Sequence, residues 1–446
     1  MRTWTKGLIV AVLAIGWYIE ESNAAEPQHP SAGEVIDVLD FEETENLSVG
    51  NYETAETDLP HPAVHLDTDF FRAMLDFQNR QSDKELIILK HNAAWSCFPT
   101  VVLGGQARLS LLAAATNTED KFSYLGRFPP DFEGNSATDA RILQANTGIA
   151  AHVNNWVNVY GEVLFSDVFT FPTFKQGSLQ IRQAYAVLGD LDQSPWYAFL
   201  GKKNVSFGDM GTLSPFSQSV VWHYFGALHE GIGVGYAQDG LQSPFNGINV
   251  SLTGINGGRG IRAVDSEARG HVNNFAVNAT LHGGDDMVGW RVGGGYLLGT
   301  IYDVMEAEHI DPNAFGPYNS AWDINAQVHL NRLVLAGEFV STVDDWPVTD
   351  HPVVAYRAEA AYDSCFRNRP VRYSVSWSEG IQGPSRSEFE FNQQLVVGAG
   401  VDLGPYASLS LEYVRSMGFA PLINITTVSD RSVAQDSIVM GMTVVF

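Results

Sequence analysis

Beyond residue 25, no stretch of this 446-residue chain approaches the run of about 18–20 apolar residues that a membrane-crossing helix needs. Positive charge is scarce as well. The 26 Lys and Arg stand against 51 Asp and Glu, a formal charge of −25, which argues against a nucleic-acid partner. Only two cysteines occur, Cys97 and Cys365, and at that separation a bridge and two unpaired thiols both stay open. The sequence also lacks GxSxG, HExxH, CxxC and any glycine-rich phosphate loop after a strand, so no enzymatic activity and no cofactor are expected. No fixed-period repeat is present, which disfavours a propeller.

What is there begins with the parts of a signal peptide over 1–24. Arg2 and Lys6 precede the 13-residue apolar core GLIVAVLAIGWYI (7–19), and SNA (22–24) supplies a small-x-small cleavage site. Residues 25–69 hold twelve Asp or Glu, no Lys or Arg, and Pro27, Pro30, Pro60 and Pro62. A segment that repels itself and has little to bury is expected to be a largely disordered arm. Over 70–95 one short amphipathic helix is expected, with Phe70, Met74 and Phe77 at helical spacing, Thr68 as its N-cap, and an apolar stripe packed on its neighbours.

From residue 99 to 446 the period becomes two. Sixteen strand segments follow: 101–115, 140–153, 156–166, 178–189, 195–203, 230–238, 246–256, 272–283, 288–300, 321–331, 333–343, 353–363, 370–378, 393–403, 406–416 and 434–446. Short links such as 154–155, 190–194 and 404–405 alternate with long ones such as 116–139, 204–229, 301–320 and 417–433. Loops sorted onto two rims, with strands long enough to cross a bilayer, mark an outer-membrane barrel.

The two faces of each strand agree. Trp322, Ile324, Ala326, Val328 and Leu330 alternate with Asp323, Asn325, Gln327 and His329. Val371, Tyr373, Val375 and Trp377 alternate with Arg372, Ser374, Ser376 and Ser378. Lipid offers no partner to a polar group and a watery lumen does, so the apolar face belongs outside. Trp290, Trp322, Trp377, Tyr362 and Tyr406 fall near strand ends, where interfacial aromatics sit. The final strand places Phe446, Val444, Met442, Met440 and Ile438 on one face.

The expectation is therefore an all-β protein, a transmembrane antiparallel β-barrel of about sixteen strands preceded by a short helix and an acidic arm, with outer-membrane lipid as its surroundings. Both termini would be periplasmic, and the Phe446 strand would engage the barrel-assembly machinery. Sixteen strands leave an aqueous channel where eight would fill themselves.

Continuing each alternation points Arg108, Arg182, Arg291, Arg357 and Arg372 inward, together with Glu162, Asp323, Glu338, Glu359 and Glu412. Opposed acidic and basic rows would set a transverse field across the lumen. The near balance predicts no strong ion selectivity, with the overall acidity leaning toward cations. The stretch GKKNVSFGDMGTLSPFSQSVVWHYFGALHEGIGVGY (201–236) is rich in glycine and aromatics between two strands. Exposed, it would be a liability, so it is expected to fold into the lumen or pack on a sister protomer, with Lys202 and Lys203 beside the constriction. His223, His229, Glu230 and Asp209 match no metal-ligand spacing, and no metal is expected.

TVVLGGQARLSL (100–111) after a helix, together with GKKNVSFGDMGTLSPFSQS (201–219), resembles the LbtU-type siderophore porins. In that family a GK…FG strand end leads into a Pro/Ser/Thr loop, as Lys202, Phe207, Gly208, Ser214 and Pro215 do here. The resemblance spans most of residues 65–446 and implies a barrel that takes up a ferric siderophore or similar small hydrophilic solute without TonB and without an energy-coupled plug. The acidic arm is expected to be too short and unstructured to serve as one. A general diffusion porin is the alternative within transport, and a non-transport adhesin or structural barrel the alternative outside it. A homo-oligomer is compatible with all three.

Overall fold

The computed structural model describes residues 63–80, 83–92, 95, 99–122, 133–166, 178–242, 244–256, 271–285, 287–303, 317–387, 392–419 and 430–446. The signal peptide, most of the acidic arm and Cys97 lie outside them; Cys365 is exposed. Among the described residues no helix is long and apolar enough to cross a membrane.

The chain enters through strand β1 (Ala63–Leu66) and helices α1 (Thr68–Met74) and α2 (Lys84–His91). Sixteen strands follow. The first eight are β2 (Thr100–Thr116), β3 (Ser136–Asn154), β4 (Val157–Ser166), β5 (Ser178–Leu188), β6 (Trp196–Asn204), β7 (Leu228–Asp239), β8 (Phe245–Asn256) and β9 (Val272–Gly284). The rest are β10 (Val288–Leu297), β11 (Ala321–Leu330), β12 (Leu333–Thr342), β13 (Val354–Phe366), β14 (Arg369–Ile381), β15 (Asn392–Gly404), β16 (Ala407–Phe419) and β17 (Asp430–Val445). A third helix, α3 (Val220–Phe225), lies between β6 and β7.

Each barrel strand pairs antiparallel with the next, and β17 closes on β2 from Gln435 opposite Thr116 to Val445 opposite Gln106. Every short link lies on one rim. Arg367 and Asn368, with φ of 50° and 61°, turn β13 into β14 through two left-handed residues, the geometry that matches strand twist. Trp322, Ile324, Tyr373, Val375, Met440 and Met442 are exposed as expected, while Asp323, Asn325, Ser374, Ser376, Val439 and Gly441 are buried; Val371, expected on the outer face with Tyr373, is buried instead.

The N-terminal segment departs from expectation in three ways. The last residues of the acidic arm are ordered, because β1 runs parallel to β2 from Ala63 opposite Thr100 to Leu66 opposite Leu103. β2 extends past the end of β17, leaving an open edge at 100–103, and β1 satisfies part of it. The single helix expected over 70–95 is two. Asp76 accepts from the Gln78 N–H at 3.0 Å, an Asx turn that competes with the helix and stops it. The N-cap is Asp67, not Thr68: its carboxylate accepts the Phe70 N–H at 2.9 Å.

Candidate functional site

The loop after β6 folds into the barrel. Its backbone N–H groups have no ladder partners there, and leaving them unpaired would cost about as much as losing a hydrogen bond each. Wall carboxylates take them instead. Glu338 on β12 accepts from Asp209 N at 2.9 Å and Met210 N at 2.8 Å. Glu359 on β13 accepts from Leu213 N at 2.9 Å and the Thr212 hydroxyl at 2.7 Å. Glu412 on β16 accepts from Phe216 N at 2.7 Å and Ser217 N at 3.0 Å. Such charge-assisted bonds are roughly twice as strong as neutral ones.

Arg357 completes the anchorage. From its buried position on β13 it reaches Glu338 at 2.7 Å, Glu359 at 2.5 Å, and the loop's Asp209. Arg291 holds the other Asp209 oxygen. Burial pushes the Asp209 carboxyl up, but the two guanidiniums outweigh it and hold it below the ordinary range. Asp323 lies alongside and accepts from Asn325 at 2.6 Å.

The loop's apolar half packs where the wall is small. Phe207, Met210, Val221 and Phe225 cluster with Ala276, Ala321 and Ala355. A Cβ on Gly380 would strike Tyr224, and one on Gly441 would strike Phe216. Glycine at those wall positions is a close-approach requirement.

The opposite wall carries the N-terminal segment, also inside. Phe70, Phe71, Met74, Ile88 and Leu89 pack with inward-facing Val102, Ala150, Tyr160, Tyr185, Tyr197 and Phe199. The Phe71 ring fills the space that side chains at Gly104 and Gly148 would need. At about 1.5–3 kcal/mol for each large apolar side chain buried, this is a substantial interface. Polar ties accompany it. Lys203 reaches Glu85 at 2.5 Å, both buried. Asp83 accepts from Ser206 and Asn249, Asn204 donates to the Arg80 carbonyl, and Arg80 donates to Gln144. Burial raises the Glu85 carboxyl, opposed by Lys203, and lowers the Lys84 ammonium.

The remaining inward charges have protein partners. Arg108 donates to the Phe216 carbonyl at 2.7 Å, its guanidinium 3.7 Å from the Phe77 ring centre and 4.2 Å from that of Phe216. Arg182 donates to Asn204 at 3.1 Å and lies 3.7 Å from Glu162, which accepts from Asn146 and Gln183. Arg372 forks onto Asp363 at 2.7 and 2.9 Å, half exposed. A cavity of about 470 Å³ remains near the short-link rim, lined by residues that include Arg72, Asp76, Arg108, Arg372 and Asp402.

The ten strand charges picked from alternation thus all face inward, and Lys203 joins them. Lys202 does not. It stands opposite exposed Ala184 and Glu230, on the outer face with Leu200, because adjacent strand residues cannot both face in. The transverse field of two opposed rows is also absent as such: the carboxylates at 338, 359 and 412 are used by the loop's backbone rather than presented to solvent. Asp209 serves the arginines, and no group of His, Cys, Asp and Glu able to hold a metal occurs among the described residues. Sequence reasoning missed Glu85, Asp83, Arg80 and Phe71 as lumen residues; the expected amphipathic stripe was their only signal.

No protein-family profile matches this chain, and no curated protein matches it in sequence. Solved structures do match in shape. Outer-membrane protein OmpF of Salmonella typhi, in a complex with daunomycin, aligns over 78% of this chain and 97% of its own, with TM-score 0.50 and 15% identity. The anion-selective porin of Comamonas acidovorans aligns over 78% and 100%, with TM-score 0.50 and 9% identity. The chain has the closed sixteen-stranded antiparallel barrel fold of the outer-membrane porins.

Proposed function

We propose that this chain is an outer-membrane channel for small hydrophilic solutes, non-catalytic, with the short-link rim and both termini in the periplasm. The observation that carries the reading is the division of faces: an apolar outer belt around a sixteen-stranded barrel whose inner face is polar and charged, with a loop folded inward between β6 and β7. Lipid accommodates only the first surface, and only water or protein the second. The porins that share the fold support it. The Phe446 strand is the proposed handle for barrel assembly.

Within that reading the solute is a ferric siderophore or similar compound, taken up without TonB. The sequence resemblance supports this, as does a lumen too filled for unrestricted diffusion. Growth of a deletion strain on the ferrated siderophore tests the solute: loss of that growth with sugar and phosphate uptake intact is expected, and unchanged iron uptake would remove the siderophore. A general diffusion porin is the second reading, favoured by the balanced charges around the cavity. Liposome swelling separates the two, since a general pore admits sugars by size alone.

A further inference from the structure

We infer that residues 63–80 and 83–92 form a resident plug which, joined to the inward loop, holds the pore closed, and that solute passes only when this segment leaves the lumen. The inference rests on the channel reading above and deepens it.

The lumen is bridged from wall to wall. On one side the plug sits against the inner faces of β2 to β6. On the other the loop is bonded to β12, β13 and β16. Between them runs a seam. Thr212 N donates to the Gln78 carbonyl at 3.1 Å, Gln78 donates to the Phe216 carbonyl at 2.7 Å, and Gln218 donates to the Phe77 carbonyl. Phe77 stacks under Arg80 at 3.8 Å and lies 6.1 Å from the Trp222 ring.

The two halves of the barrier differ in how they can move. The loop is continuous with β6 and β7 at both ends, and buried carboxylates and arginines fix it. Among the described residues, the plug pairs with the barrel ladder through the four residues of β1 alone, at the short-link rim. The cavity, lined there by Asp402, Ala407 and Val445, already opens beside it. Among the described residues, unpaired buried polar atoms occur at both seats: Glu85 Oε2, Trp95 Nε1 and the Tyr160 and Tyr185 hydroxyls at the plug's, and Ser214 Oγ, Gln218 Oε1 and Ser219 Oγ on the loop. Attachment to the barrel, rather than pairing, distinguishes the two. The moving part is therefore the plug, and its path is through the short-link rim.

The test is conductance of the full chain in planar bilayers, with heat-modifiable gel migration verifying a folded barrel in each sample. Wild type is expected to be closed for most of the record, and a variant lacking 63–92 to conduct at least tenfold more. Equal conductance in both would overturn the plug and leave the channel reading intact. Silence from both, folded, would overturn both. Should the deletion fail to fold, Asp83→Asn with Glu85→Gln loosens the seat and is expected to raise open time at least tenfold. A Cβ on Gly211 would lie 2.8 Å from Asn79 Oδ1, so Asn79→Cys with Gly211→Cys, with Cys97 and Cys365 made serine, can tie plug to loop. Oxidation is expected to abolish the added openings and dithiothreitol to restore them. Openings that ignore both the loosening and the lock would contradict the proposal.

Discussion

Arg357→Met is the substitution that strains this molecule most instructively. The guanidinium sends Nε to Glu338, Nη1 to Glu359 and Nη2 to Asp209, so a single buried cation offsets carboxylates on two strands and the loop. Methionine fills similar volume but strands those carboxylates. Removing one partner of a buried pair costs about 3–5 kcal/mol, and here Arg291 shares only Asp209, so the upper part of that range is expected. The loss falls on the loop's attachment, since the barrel ladder is untouched. Limited proteolysis of 205–219 in detergent is the assay: the loop should become cleavable while heat-modifiable migration persists. Lysine at 357 should rescue little, because a point charge cannot reach three acceptors in a planar fork. Adding Glu359→Gln should recover part of the loss, by about 0.5–3 kcal/mol of coupling. An Arg357→Met protein whose loop resists protease as wild type does would refute the anchoring role.

Acid should release the same loop late. Asp209 is held below its ordinary value of 3.8, so its contribution is complete above that value and lost only as pH falls through the lower folded one; loop cleavage starting near pH 6 would contradict this. Lys203→Met should make plug seating depend on pH with the opposite sign. The buried Glu85 carboxyl, already raised, then seats in its neutral form, with protection of 84–91 from hydrogen exchange high in acid and lost as pH rises through the raised value. Phe71→Ala should weaken the seat by about 3–5 kcal/mol and raise open time, read in single-channel records. Lys202→Leu should leave conductance and reversal potential unchanged, whereas Arg372→Gln, lining the cavity, should shift the reversal potential.

Strands were legible because an apolar outer face and a polar inner face impose a period of two, and burial follows it over 321–326 in β11 and 373–378 in β14. The same period placed Glu338, Glu359 and Glu412 inside. It could not tell whether they meet water or a backbone, since Glu412 and Phe216 lie 196 residues apart and only folding joins them. β1 was illegible for a related reason: four residues of an acidic arm become a strand because β2 overhangs β17, a fact of register rather than composition. The plug was half legible. Phe70 and Met74 announced an amphipathic stripe, but the part of the wall that receives Phe71, at Gly104 and Gly148, is glycine and carries no signal of its own.

The division of faces is most directly tested by single cysteines along β11 carrying a fluorophore, in lipid vesicles with bilayer-embedded quenchers. Labels at 322, 324 and 326 should be quenched and those at 323, 325 and 327 spared, a period of two set by lipid outside and the lumen inside. Quenching that is uniform along the strand, or absent at all six positions, would mean that this barrel does not stand in a membrane with its apolar face to lipid.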